Sequence, residues 1–67
     1  MSFTRAQVIQ ALVELRRRQR CCIRSAGVAR TEAVRRAFDT IAAESARQIG
    51  RLERALRDTT AEYIEVE

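Results

Sequence analysis

Arg16-Arg17-Arg18-Gln19-Arg20, with Arg24 one turn further on, is the densest run of a single chemistry in the chain. On a helix Arg16, Arg20 and Arg24 line one edge at i, i+4 and i+8, and Arg17 and Arg24 share a neighbouring row. Like charges at these spacings repel, so the run costs stability unless an anion or another subunit's acids compensate it. A rail of guanidinium groups suits phosphate, and Arg16, Arg17, Arg20 and Arg24 are therefore the nucleic-acid or anion candidates. Against that stand the lack of interleaved aromatics for base stacking and the absence of a recognised nucleic-acid motif. Plain solvated charge, or pairing with the acidic half of a neighbouring protomer, is the competing reading. Met1–Arg36 carries nine Arg against Glu14 and Glu32, net +7, whereas Ala37–Glu67 carries four Arg against seven acids, net −3. All thirteen basic residues are Arg, which GC-rich coding or a need for bidentate forks would each produce.

Cys21 and Cys22 are the other reactive side chains. Helix neighbours point about 100° apart, so the two cannot bridge each other without breaking the helix. A thiol nucleophile needs a base, and the chain contains no His. Four thiols from a dimer could hold Zn²⁺, but a seam cysteine is more often plain packing. The expectation is a non-enzyme without a cofactor. Free thiols suit a reducing cytoplasm. Met1–Ala6 lacks a charged stretch followed by an apolar run, so no secretory leader is expected. The longest apolar run is three residues, so no transmembrane span is expected. The seam lacks the large aromatics that membrane-adsorbing helices favour, so no membrane partner is expected.

The elements that must carry these residues are helical. Thr4 and Gln7 form a capping box with Phe3 and Val8 at the staple positions. Val8, Leu12, Leu15, Gln19 and Cys22 then recur at spacings of four, three, four and three, a seam that Ala26 extends. Val34, Phe38, Ile41, Ser45, Gln48 and Leu52 make a second seam, with Ala55 beyond and Ala42, Ile49 and Leu56 on its flank. Gly27 reads as a positive-φ stop between the two helices, and Thr31 as the N-cap that restarts the chain. Glu32–Arg36 and Glu53–Arg57 have the favourable acid-first spacing. Gly50, inside the second helix, suggests a close helix crossing.

These readings predict one all-α domain over residues 1–67, a two-helix antiparallel hairpin dimerising into a four-helix bundle. Helix 1 covers about 4–25, the turn 26–30, helix 2 about 31–58, and an acidic tail 59–67 frays or docks on a basic surface. Dimerisation follows from size, because a chain this short rarely supplies more than ~3–5 kcal/mol from its own core. The expected interface is the pair of seams: Val8, Leu12, Leu15, Gln19, Cys22, Val34, Phe38, Ile41, Ser45, Gln48 and Leu52. Gln19, Ser45 and Gln48 form a polar layer at mid-length that can fix register.

The segment Cys21–Ala26, the short link, Glu32–Phe38 and Ile49–Leu52 resemble a helical hairpin of the ferritin-like and rubrerythrin superfamily. The resemblance implies an inward Glu on the first helix and Glu-x-x-His on the second, together building a di-iron centre. In one register the second motif falls on Ser45 and Gln48. In another it falls on Glu44 and Arg47 and places Glu14 thirty residues upstream. Arg47 cannot ligate a metal, so the resemblance leaves Glu14 and Glu44 as candidates for a hard divalent ion between subunits. The leading expectation is a small cytoplasmic interaction or assembly module whose partner is itself, as a homodimer or higher oligomer. A nucleic-acid-binding regulator is the alternative, a metal-binding hairpin the third, and another protein remains open as a partner.

Overall fold

The computed structural model describes residues 1–66. In chain order these form β1 (Ser2–Thr4), α1 (Arg5–Val28), α2 (Glu32–Asp58) and β2 (Tyr63–Glu65). The two helices pack antiparallel as a hairpin, a rod of 46 × 17 × 17 Å.

The start of α1 follows from its sequence. Thr4 Oγ1 accepts from the Gln7 backbone N–H at 3.1 Å, and Gln7 Oε1 accepts from the Thr4 N–H at 2.9 Å, so the capping box is complete. The end differs from expectation. α1 runs through Gly27 to Val28, and neither glycine adopts a positive φ. The stop is Ala29, extended at φ −65° and ψ 139°, whose N–H donates to Ala26 O at 3.3 Å. Glycine permits a left-handed residue without requiring one, and continuing the helix buries Ala26. The link is thus only residues 29–31, after which Thr31 Oγ1 accepts from the Val34 N–H at 3.2 Å and α2 begins.

Val8, Leu12, Cys22 and Ala26 of α1 are buried against Ala42, Ser45 and Ile49 of α2. The face of α2 is rotated relative to the expected seam. Ala42 and Ile49, read as flanking residues, lie inside, whereas Val34, Ile41 and Gln48 are exposed and Phe38 and Leu52 half-buried. Small side chains at Ala42 and Ser45 let the helix axes close where the bulk of Ile41 would hold them apart. Gln19 is half-buried, Ser45 is buried, and no hydrogen bond joins Gln19, Ser45 and Gln48 among the described residues, so the expected polar layer is not assembled within one protomer.

The tail carries the largest departure. It is neither frayed nor helical: β2 pairs antiparallel with β1 in the register Ser2↔Glu65, Phe3↔Ile64, Thr4↔Tyr63. Alternation sets the faces. Ile64 is 2% exposed beneath the ribbon while Tyr63 and Glu65 point outward. A two-stranded ribbon is marginal alone in water, and the helices supply the apolar floor it needs. Two further backbone bonds frame it, from Arg5 N–H to Glu62 O at 3.1 Å and from Val66 N–H to Met1 O at 3.0 Å.

Arg5 locks this end. Its half-buried side chain donates Nη1–H to Thr59 O at 2.7 Å and Nη2–H to Leu56 O at 3.3 Å, carbonyls that the end of α2 leaves without helical partners. Arg5→Gln should therefore lower stability by about 2 kcal/mol, a fall in Tm on the order of 10 °C read by circular dichroism. Gly50 shows no close crossing, since a Cβ built there meets nothing within 4 Å. Gly50→Ala should raise stability by roughly 0.5–1 kcal/mol through backbone entropy alone. An unchanged or lower midpoint in urea would contradict that account.

Candidate interaction surfaces

The folded hairpin has two long sides, each a shallow groove between the helices. One groove is lined by Ile9, Leu12, Val13 and Arg16 of α1 with Glu53, Leu56 and Arg57 of α2. The other runs past Phe3, Gln7, Val8, Ala11 and Leu15, with Gln48, Arg51, Leu52 and Val66 opposite. Both grooves are mainly apolar and edged by arginine, and they differ in the residues that flank them.

Of the arginine run, Arg16 lines the first side. Arg16 Nη2 donates to Glu53 Oε2 at 2.7 Å, an ion pair between helices whose side chains are each about half exposed. Glu53 thus serves Arg16 rather than Arg57, which sits beside Asp58 at 3.7 Å. The expected Glu32–Arg36 pair does form, at 3.3 Å, and Glu32 also binds Arg35. Glu32 and, more weakly, Asp39 hold the exposed Arg35 guanidinium still more firmly in its charged form. Arg17, Arg20 and Arg24 are exposed and make no ion pair among the described residues. Of the four candidates for an anion, Arg16 is therefore the one already engaged.

The second side borders a row on α2. Val34, Ile41, Gln48 and Ala55 recur every seven residues, and Val34 and Ile41 are 46% and 39% exposed. Leu15 and Leu52 lie half-buried alongside. Of the residues expected at the interface, Val8, Leu12, Cys22 and Ser45 are buried within the hairpin, Leu15, Gln19, Phe38 and Leu52 border it, and Val34, Ile41 and Gln48 face outward. The seven-residue rows were visible in the sequence; which row α1 would cover depended on how closely Ala42 and Ser45 let the axes approach.

Glu14 and Glu44 are both exposed. Glu14 accepts from Gln10 Nε2 at 3.5 Å, and Glu44 lies in a shallow hollow with Arg47, Gln48 and Arg51, whose two cations compete with any metal for its oxygens. Among the described residues no three His, Cys, Asp or Glu side chains come together as a metal site. Cys22 is buried in the hairpin and Cys21 is exposed. At the ribbon, the Ser2 hydroxyl donates to Glu65, and with the N-terminal amine beside it holds that carboxyl below the usual range. Among the described residues no helix is long and apolar enough to cross a membrane. No protein family matches the chain, and neither a curated protein nor a solved structure shows significant similarity to it.

Arg5, Glu53, Ala42, Ile49 and Ile64 carry more of the structure than their sequence neighbourhoods suggest. Ala42 and Ile49 stood on the flank of the second seam, whereas Arg5, Glu53 and Ile64 have partners too far along the chain for a local pattern to show. The Arg16–Glu53 pair is solvent-exposed, so a double-mutant cycle with Arg16→Gln and Glu53→Gln should give a coupling of less than about 1 kcal/mol. That coupling should shrink further at high salt. A larger, salt-resistant value would mean the pair is a structural clamp rather than a surface contact.

Proposed function

We propose that this chain is a non-catalytic assembly module that pairs with a second copy through the Val34–Ile41–Gln48–Ala55 row of α2. Two hairpins joined along this row make a four-helix bundle. The observation that carries the reading is the exposed heptad-spaced row itself, with Val34 and Ile41 uncovered and Leu15 and Leu52 half-covered beside it. Branched aliphatic residues at seven-residue spacing are the pattern that a partner helix of the same spacing fills. A second copy supplies such a helix through a two-fold axis.

Pairing also adds stability to a small core. The hairpin buries seven hydrophobic residues, and three of these are the small side chains Cys22, Ala26 and Ala42. Fully burying a Val, Leu or Ile contributes about 1.5–3 kcal/mol, so Val34 and Ile41 of two protomers add a substantial share of what one hairpin has. Gln48 sits within the row, where an amide pairing with its counterpart across the axis fixes register and limits the bundle to two hairpins. The absence of His beside Cys21 and Cys22 supports a binding rather than a catalytic role. Two free thiols support a reducing cytoplasm as its location. In this reading the ferritin-like resemblance extends to the hairpin and not to its iron chemistry.

Light scattering across a size-exclusion peak tests the proposal. The wild-type chain should run at twice its 7.7 kDa protomer mass, and Ile41→Glu at the protomer mass with helicity retained. Ile41 is accessible in the protomer, so the substitution leaves the hairpin's own core intact. A wild-type monomer, or an Ile41→Glu dimer, would end this reading.

A further inference from the structure

We propose that Arg17, Arg20 and Arg24 on the outer face of α1 form a rail for the phosphate backbone of a nucleic acid. This does not depend on the pairing proposed above, because the rail adjoins the groove that contains Arg16, whereas the α2 row adjoins the groove that contains Gln48. One protomer has one rail, and a dimer has two.

Three observations support it. The first is the distribution of charge in the folded molecule. Its turn-proximal half, residues 17–47, holds eight Arg against Glu32, Asp39 and Glu44, net +5. The half near the termini holds five Arg against Glu14, Glu53, Asp58, Glu62 and Glu65 among the described residues, net zero for side chains. The hairpin therefore has a cationic end.

The second observation is which cations the fold neutralises. Glu32 engages Arg35 and Arg36, Asp39 lies 3.9 Å from Arg35, and Glu53 engages Arg16. Those acids engage the first turn of α2 and the edge of α1 nearest to Glu53. None of them reaches Arg17, Arg20 or Arg24 among the described residues, although the three repel one another along the helix. Arg47, Arg51 and Arg54 of α2 also have no ion pair among the described residues, but they are spread along their helix without the run of neighbouring arginines seen on α1. An external anion with repeating charge relieves that repulsion.

Spacing and side-chain type are the third. The three residues occupy i, i+3 and i+7, one face of a continuous helix, and span about 10.5 Å along its axis. Phosphates advance about 3.4 Å per step along each strand of a duplex, so the rail covers roughly three steps. Each guanidinium offers a planar fork that binds a phosphate in bidentate fashion, which a lysine cannot. No aromatic side chain lies between Arg17 and Arg24, so the rail grips the backbone and does not read bases.

Fluorescence anisotropy of the full chain tests this with labelled 20-base-pair duplexes of DNA and of RNA, and with a poly-glutamate peptide. For a duplex, log K against log salt should have a slope of about −2.7 per bound protomer, about 0.9 for each of three contacts. Arg17→Gln, Arg20→Gln and Arg24→Gln should each reduce the slope by about 0.9, the triple variant should lose binding, and Arg54→Gln should leave it unchanged. Which duplex binds more tightly decides between DNA and RNA. A slope unchanged in the triple variant overturns the proposal, as does poly-glutamate binding as tightly as either duplex. Removing mutual repulsion from α1 should preserve the fold, and circular dichroism on the same samples confirms it. Ile41→Glu, which addresses pairing alone, should halve the slope per particle without changing it per protomer.

Discussion

Two antiparallel helices joined by three residues are held by the chain at one end only, and the structure depends on how the other end is closed. That closure is the Arg5 guanidinium on the carbonyls of Leu56 and Thr59, with β1 and β2 paired beside it. The geometry is economical because one residue serves two helices. Its backbone begins α1 at the capping box, while its side chain satisfies the exposed dipole end of α2. With both ends fixed, the small residues at the centre suffice to keep the axes close. The ribbon in turn brings Ile64 over the seam, where it covers that end of the hairpin.

Much of this was legible in the chain, and what was not has a common physical cause. Thr4 with Gln7, and Thr31 with Glu32, are local signals whose partners lie within one helical turn, and both helix starts fall where they indicate. Gly27 misled because a residue that tolerates a left-handed conformation does not enforce one, and the burial of Ala26 outweighed it. The ribbon joins residues 59 to 63 positions apart, and three-residue strands are too short for alternation to announce them. Arg5 looked like one arginine among thirteen, since nothing in its neighbourhood points to Thr59. The rotation of α2 was decided by volume at Ala42 and Ser45, which periodicity alone does not weigh.

The candidate surfaces divide in the same way. The arginine run was plain in the sequence, but only folding distinguishes Arg16, drawn across to Glu53, from Arg17, Arg20 and Arg24, left facing solvent. Similarly, the lengthwise +7 and −3 of the two sequence halves do not survive as two ends of the molecule, because the hairpin lays those halves side by side. What emerges is a cationic turn end and a balanced end where the strands meet. The face of Arg17, Arg20 and Arg24 and the row of Val34, Ile41 and Gln48 border different grooves, so a helix pair 17 Å across can present both. Ile9 and Val13 also expose apolar surface on the arginine side.

The pairing of β1 with β2 also fixes where the chain enters and leaves. Opposed residues in an antiparallel pair have Cα atoms only about 4.5–5.5 Å apart. The hairpin can therefore be spliced into a tight turn of an unrelated protein without prising that turn open. Its host would carry a stiff 46 Å mast with the arginines toward the tip, and Met1 and Val66 would be the joints of the graft.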